Sequence, residues 1–596
     1  MPKFELIDQF ISYVTLKDKT NTDPRYLVEG SQNVLIDEKG RIAIRNGYTI
    51  YGAASSAINA VESNYDWKTS TGTELNLRAY DDELEFYDSN KSAWTRLASA
   101  FAAVDFSFDT WWDNSEGIDL LLFVNGVDKI WEWSGGTAVL SSATANTLTK
   151  TGTATWAEAR FLTAGTRQVI INGTTYTYTG GEGTTTLTGV TGDPSAEAAN
   201  STVFQAIILN DNQPANNTKN DFIRILNNHL YVGSVSSRVV YISKSANYID
   251  FTYSSPRVTT EGGLLTLDSF VVGFAPQGQQ MFISAGKDDW YKADFEVLDV
   301  GGIVTELLTA KKLKTGTNQG AKSHDLITNV GNNIMFISNE PALREFGDLE
   351  NLEGPQLKAI SNPIKPDFDA ADFTGGHIKS HNLRTYISAP NDDRVFINEI
   401  RENERGELTR FWQPPQVMPI RRFADIGGVL YGHSNRVPES YKLFNGTNDE
   451  DISFDAKAIM AYRNYGTKEN YKNLDEWLTE GYISANTKLK LEIRYDYQGY
   501  TQILEADIEG DNDDILFQAT GTGSLAEQPL GESPLGDNPE ESSLLPKFMN
   551  IKSFPKADFF EIQVKYSTDT KDAQWQLLSF GGNIRISKST PIIIKT

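Results

Sequence analysis

One recurring unit constrains this chain more than any other feature: a short apolar strand, a turn of Asn, Asp or Gly, a second strand rich in aromatics, then a polar stretch. One copy runs from Phe222 through Asn227-Asn228-His229 to Val232 and continues at Val239 to Ser243. Another runs from Leu326 through Gly331-Asn332-Asn333 to Ser338, and a third has His381-Asn382-Leu383 followed by Arg394 to Asn398. Further copies centre on Asp81-Asp82, Asn125-Gly126, Gln277-Gly278 and Gly427-Gly428. Asn and Gly tolerate the positive φ that tight hairpin turns require. The step from Gln277 to Asn332 is 55 residues, from Asn332 to Asn382 it is 50, and from Asn382 to Gly427 it is 45. A period of roughly 40 to 50 residues with several strands per unit predicts an all-β chain built as a β-propeller of six or seven degenerate blades. The competing reading is a string of independent β-sandwiches.

One gap breaks the period. Asn125 and Asn228 lie 103 residues apart, and the sequence between 141 and 210 turns Thr- and Gly-rich, with Val169 to Tyr178 reading as strands and Gly180-Gly181 as a turn. That texture predicts a small β domain inserted in an exposed propeller loop. Past residue 450 the blade spacing ends and long strands appear at Lys488 to Tyr495 and Phe559 to Tyr566, the pattern of a β-sandwich. The expected organisation is a docking segment at 1–50, propeller at 51–140, the insert at 141–210, the rest of the propeller at 211–450, and a sandwich-like domain at 451–596. Within the last, 521–546 repeats Pro-Leu-Gly at 529–531 and 534–536 and reads as a long loop.

Composition narrows the function classes. The 596 residues are too many for a single hydrophobic core and predict two to four folding units. The chain has no cysteine, which removes disulfides, thiolate metal sites and cysteine nucleophiles. The opening residues, from Met1 to Asp8, carry acids where a signal peptide needs an apolar core. The longest apolar runs, Leu120 to Val124 and Ile592 to Ile594, are strand-sized, so a soluble protein without an export signal is expected. A net charge of −25 argues against a tight phosphate-binding surface, since DNA affinity rests on Lys and Arg displacing counterions.

Residues that could carry chemistry are few. Of His229, His324, His377, His381 and His433, only His377 and His381 have i, i+4 spacing, and the glycines Gly375-Gly376 around them read as strand and turn, not helix. Gly521-Thr-Gly523-Ser-Leu-Ala526 matches a loose dinucleotide fingerprint, but Pro529 follows where a helix would be needed. The acidic run Glu509-Gly-Asp511-Asn-Asp513-Asp514 lacks the spacing of a calcium loop and reads as a solvated turn. Trp111-Trp112 and Trp131-Glu-Trp133 could stack on sugars, but their alternation favours packing between blades. No catalytic, cofactor-binding or metal-binding residue is assigned, no cofactor or small-molecule substrate is expected, and the chain is read as no enzyme.

The segment Asp23-Pro-Arg-Tyr-Leu-Val-Glu-Gly30-Ser-Gln-Asn33-Val-Leu-Ile-Asp37-Glu-Lys-Gly40-Arg-Ile42, continuing at Arg45-Asn-Gly47-Tyr48, resembles the N-terminal segment of phage tail nozzle proteins, the tail tubular protein B family. The resemblance covers residues 1 to 450. It implies a leading segment before a β-propeller, with six copies forming a ring that continues the DNA channel below the tail adaptor. The function expected is a structural virion protein of a phage tail, made in the bacterial cytoplasm. Its partners would be itself as a homohexamer, the adaptor and other tail proteins such as fibres, with DNA passing the lumen without sequence-specific binding. The alternative is a carbohydrate-binding or carbohydrate-cleaving β-propeller adhesin on a virion or cell surface. Strands such as Val34 to Ile36 and Arg41 to Arg45 need a partner: they either close the propeller or pair with a neighbouring subunit.

Overall fold

The computed structural model describes residues 3–16, 22–52, 59–165, 167–209, 220–254, 257–258, 261–300, 303–313, 317–331, 333–347, 356–402, 408–465, 472–485, 487–497, 500–509, 547–553, 558–559 and 561–586. The chain is all-β: strands make up 54% and helix 4%, and the strands form many small antiparallel sheets. The described residues fall into two compact units, one of 52–358 with 436–438, the other of 1–51, 359–435 and 439–596.

The first unit holds five successive antiparallel sheets, numbered here I to V. Sheet I is Ser63–Lys68, Glu74–Tyr80, Glu83–Asp88 and Ala93–Ala98; sheet II is Ser107–Asp113, Ile118–Val124, Trp131–Trp133 and Ile208–Leu209. Sheet III is Phe222–Leu226, His229–Gly233, Val239–Ile242 and Gly263–Thr266, and sheet IV is Val271–Gln277, Gln280–Ala285, Asp289–Val300 and Ile303–Lys312, with Arg257–Val258 added at its edge. Sheet V is Ile327–Val330, Asn333–Ile337, Leu343–Gly347 and Gln356–Ala359. The first strands of the five touch one another in succession.

The reason these strands form sheets with two buried faces lies in their sequences. Leu120–Val124 is apolar at every position because one face meets sheet I and the other sheet III. Leu121 and Phe123 join Trp67, Leu77 and Phe86 in one core, whereas Leu122 and Val124 join Ile223, Leu230 and Val232 in the next. The same sharing repeats between sheets III and IV around Phe274 and Ile283 and between IV and V around Trp290 and Phe336. Each fully buried side chain of this size stabilises the fold by roughly 1.5–3 kcal/mol.

Between the third and fourth strands of sheet II the chain makes a six-stranded sheet of its own. Its order is Thr174–Thr177, Gln168–Ile171, Thr202–Gln205, Thr137–Thr144, Thr147–Lys150, Thr186–Thr188. It closes on a separate core that includes Trp156, Phe161, Val169 and Tyr178. Arg160 fastens it to the sheets beneath: Nε donates to Ser134 O at 2.8 Å and the guanidinium lies 5.2 Å over the Trp67 ring.

The second unit begins with sheet VI, Ile378–His381, Arg384–Ala389, Arg394–Glu402 and Leu408–Trp412, with Gln416–Val417 beside the third strand. Sheet VII is Ile420–Ile426, Val429–Ser434 and Ser440–Leu443, and its fourth strand is Tyr48–Ile50 from the start of the chain. Two further sheets follow. Lys3–Ile7, Val34–Ile36 and Ile42–Ile44 join Trp575–Ile586, Lys472–Ile483, Lys547–Ser553 and Asp558–Phe559 in one; Ala456–Ile459, Glu561–Thr568, Lys488–Tyr497 and Tyr500–Glu509 make the other. Their inner residues meet where the Tyr566 hydroxyl accepts from Trp477 Nε1 at 3.0 Å.

The turns at Asn227-Asn228, Gln277-Gly278, Asn382 and Gly427-Gly428 join first to second strands, and the Asn and Gly in them have positive φ. Two other turns differ in phase from the sequence pattern. Asp81-Asp82 and Asn125-Gly126 follow the second strands of sheets I and II, while the first-to-second joints there, around Gly72 and Gly117, have no doubled turn residue to stand out in the sequence. Asn332, the loop at 521–546 with its glycine fingerprint, residues 510–514 of the acidic run, and Ile592 to Ile594 lie outside the described residues.

Candidate functional site: a buried polar clamp on the N-terminal segment

The segment from 31 to 48 is gripped by side chains that come from sheets VI and VII and the strands beyond them. Arg45 lies at its centre with a side chain 0% exposed. All five guanidinium N–H donors are used: Nε to Asn33 Oδ1 at 3.1 Å, Nη1 to Asn46 O at 3.0 Å and Asp449 Oδ1 at 2.7 Å, Nη2 to Val417 O at 3.1 Å and Asp449 Oδ2 at 2.6 Å. The Phe454 ring covers one guanidinium face at 3.9 Å. A charge of this kind is tolerable inside a protein only when it is paired and fully hydrogen-bonded.

The strand Val34–Ile36 has Ile42–Ile44 on one side, and side chains take the place of a strand on the other. Gln413 accepts from Ile36 N at 2.8 Å through Oε1 and donates to Ile36 O at 2.9 Å through Nε2, and Gln416 Nε2 donates to Val34 O at 3.1 Å. Arg401 Nη1 donates to Asp37 O at 2.7 Å and its Nη2 also reaches Ile36 O. Asn33, at φ 55, donates to Asp455 O at 2.7 Å and accepts from Val417 N at 2.8 Å. Ahead of it, Ser12 and Tyr13 pair with the Trp412 backbone, and Trp412 Nε1 donates to Ile360 O at 3.0 Å.

Two glycines of the segment are required by close approach. A Cβ on Gly47 would sit 1.8 Å from Asn448 O, and one on Gly30, at φ +95, would sit 2.9 Å from Ile459 Cδ1. What these glycines face lies about 400 residues away in the chain and left no local signal in the sequence.

Glu399 ties the clamp to sheet VI, with Arg401 at 2.8 Å, Arg384 at 3.3 Å and Gln413 Nε2 at 2.9 Å. Burial alone would raise its carboxyl pKa, but the Arg401 hydrogen bond and the Arg384 charge outweigh it and hold the carboxyl below its ordinary 4.5. A lowered folded-state pKa contributes stability that is complete above 4.5 and is lost as pH falls through the folded value. Glu399→Gln is therefore expected to destabilise the neutral protein by about 2 kcal/mol and to flatten the loss of stability below pH 4.5 that the wild type is expected to show. Urea unfolding from pH 7 to pH 3 checks both effects; an unchanged acid limb removes Glu399 from the account.

The residues weighed for chemistry occupy separate places. His229 Nδ1 donates to Ser243 O at 2.6 Å and His433 Nδ1 meets Ser440 Oγ at 2.8 Å. His377 Nδ1 accepts from Phe423 N at 3.1 Å, while His381 Nδ1 pairs with Asp425 at 3.0 Å, so each of the i, i+4 pair has its own partner on the first strand of sheet VII. His324 Nδ1 faces Phe274 N at 3.4 Å. Trp111 and Trp133 are buried, Trp131 packs against the core shared by sheets I and II, and Trp112 is 45% exposed with Nε1 on Asn114 Oδ1 at 3.1 Å. Glu509 ends a strand and is half-buried.

Among the described residues no group of three His, Cys, Asp or Glu is placed to hold a metal, and no helix is long and apolar enough to cross a membrane. A slot in the second unit lined by Ile7, Met460, Arg463, Trp477 and Phe580 has room for about one water. Within the clamp Arg45 pairs with Asp449, and Glu399 with Arg401 and Arg384, while Arg401 Nε is buried without a hydrogen-bond partner; together these groups hold residues 31–48 against residues 399–455. No protein-family model matches the chain, and no curated protein matches it.

Proposed function

We propose that this chain is a structural subunit of a ring-shaped conduit, the tail nozzle of a short-tailed phage, and that sheets I to VII are the blades of one β-propeller. The observation that carries the propeller reading is the completion of sheet VII by Tyr48–Ile50. Seven successive sheets, the last finished by a strand from the other end of the chain, is how a propeller joins its ends without leaving an open edge.

The conduit reading is supported by the resemblance of residues 23 to 48 to nozzle proteins, by their burial in the clamp, and by the acidic composition. A net charge of −25 leaves the phosphate backbone little to adhere to, so DNA slides past a lumen that is acidic or neutral. Six copies form the ring, with the tail adaptor above and fibres or other tail proteins as neighbours. Native mass spectrometry of the purified protein, with micrographs of antibody-labelled virions, tests this. The expected result is a six-membered ring on the tail axis. A stable monomer in the tail, a threefold fibre, or release of reducing sugars from host envelope polysaccharide would contradict it.

A further inference from the structure

The seam between sheets II and III is held by polar side chains as well as by apolar packing. Alongside the apolar core that the two sheets share, polar side chains of sheet II grip the first strand of sheet III. Ser107 Oγ accepts from Ile223 N at 3.2 Å and Asp109 Oδ2 from Ile225 N at 2.6 Å, while Arg224 Nη1 donates back to Phe108 O at 2.9 Å. Asp109 Oδ1 accepts from Thr110 N at 2.8 Å on its own strand. Further out, Glu132 on the third strand of sheet II accepts from the hydroxyl of Tyr248, which lies between the third and fourth strands of sheet III. The Trp111 ring packs tilted against the same tyrosine, with ring centroids 5.3 Å apart and planes at 58°.

We propose that this seam is a proton-sensitive joint, in which the Asp109 and Glu132 carboxyls set how firmly sheet III is held to sheet II. Both residues keep some accessible surface, yet protein surrounds their carboxyls. Burial pushes the Asp109 carboxyl above its ordinary 3.8, opposed by the Arg224 charge and the Ile225 and Thr110 amides. Burial likewise pushes Glu132 above its ordinary 4.5, opposed by the Tyr248 hydroxyl and reinforced by Asp113. The other titratable groups facing the seam are Tyr65, whose hydroxyl lies 3.4 Å from Thr110 Oγ1, and His324, whose Nε2 lies 3.4 Å from Ser107 Oγ.

The sign follows from the raised values. A carboxyl that binds its proton more tightly in the folded state adds stability that is complete below its ordinary pKa and is lost as pH rises through the folded value. The seam is therefore firmest in acid and loosens toward neutral pH, opposite in direction to the Glu399 clamp. One chain thus carries two joints that acid drives in contrary senses.

Hydrogen exchange of the full chain from pH 4 to pH 8, normalised for intrinsic rates, tests the proposal through peptides covering 222–226 and 244–252. Protection there is expected to fall severalfold as pH rises from the ordinary carboxyl range, while that of Gln280–Ala285 in sheet IV stays constant. The double variant Asp109→Asn, Glu132→Gln is expected to lose the pH dependence. Constant protection of the seam peptides in the wild type, an equal fall at Gln280–Ala285, or a double variant that keeps the dependence would overturn it. Should the double variant not fold, the comparison of regions within the wild type decides alone.

Discussion

Replacing Arg45 by methionine is expected to lower the unfolding free energy by about 3 to 5 kcal/mol, the loss typical of removing one partner from a buried ion pair. Methionine fills much of the volume, so the loss is electrostatic and polar more than steric. Asp449, whose side chain is 13% exposed, is left without the guanidinium that fills both of its oxygens. Asn33 Oδ1, Asn46 O and Val417 O lose donors in the same step. The double variant Arg45→Met, Asp449→Asn should regain part of the loss, because the stranded charge is gone. Urea unfolding of the two variants measures this, and an Arg45→Met protein within about 0.5 kcal/mol of the wild type, the spread of ordinary surface substitutions, would show that the clamp holds nothing.

Deleting residues 1–50 is expected to abolish soluble expression. The deletion removes the fourth strand of sheet VII and strips Trp575–Ile586 of its pairing with both Lys3–Ile7 and Ile42–Ile44. It also takes out Phe10, Leu27, Val34, Leu35, Ile36, Ile42 and Tyr48, all buried. At roughly 1.5–3 kcal/mol each these side chains alone supply on the order of 10 kcal/mol, as much as the whole net stability of a typical domain. The remaining chain would present unpaired strand edges, the usual route to aggregation. A truncated protein that is soluble, monodisperse and unchanged in far-ultraviolet circular dichroism would show the segment to be a detachable arm.

What could be read from the sequence was local. The all-β character followed from strand composition, and the hairpins at Asn227-Asn228, Asn382 and Gly427-Gly428 followed from residues that accept positive φ, as they do here. The phase of the first two units was misread for the same reason: Asp81-Asp82 and Asn125-Gly126 are the conspicuous turns there, although they follow second strands. The clamp could not be read at all. Arg45 and Asp449 are 404 residues apart, and Gln413 serves as a strand partner to Ile36 across 377. Neither pairing has a periodicity or spacing that would announce it. Val34 to Ile36 and Arg41 to Arg45 do signal a missing partner, but instead of closing the propeller or pairing with a neighbouring subunit they pair with each other. Ile42–Ile44 continues to Trp575–Ile586, and side chains of and beside sheet VI meet the other edge of Val34–Ile36.

Whether sheets I to VII form one closed propeller inside a multi-copy ring is tested directly by a single-particle cryo-electron microscopy reconstruction of the protein. The expected result is a six-fold ring in which each copy has seven sheets arranged around one axis, with Tyr48–Ile50 as the outer strand of the seventh. Copies that remain single, or a map in which sheets I to V and sheets VI and VII form separate bodies, would contradict it.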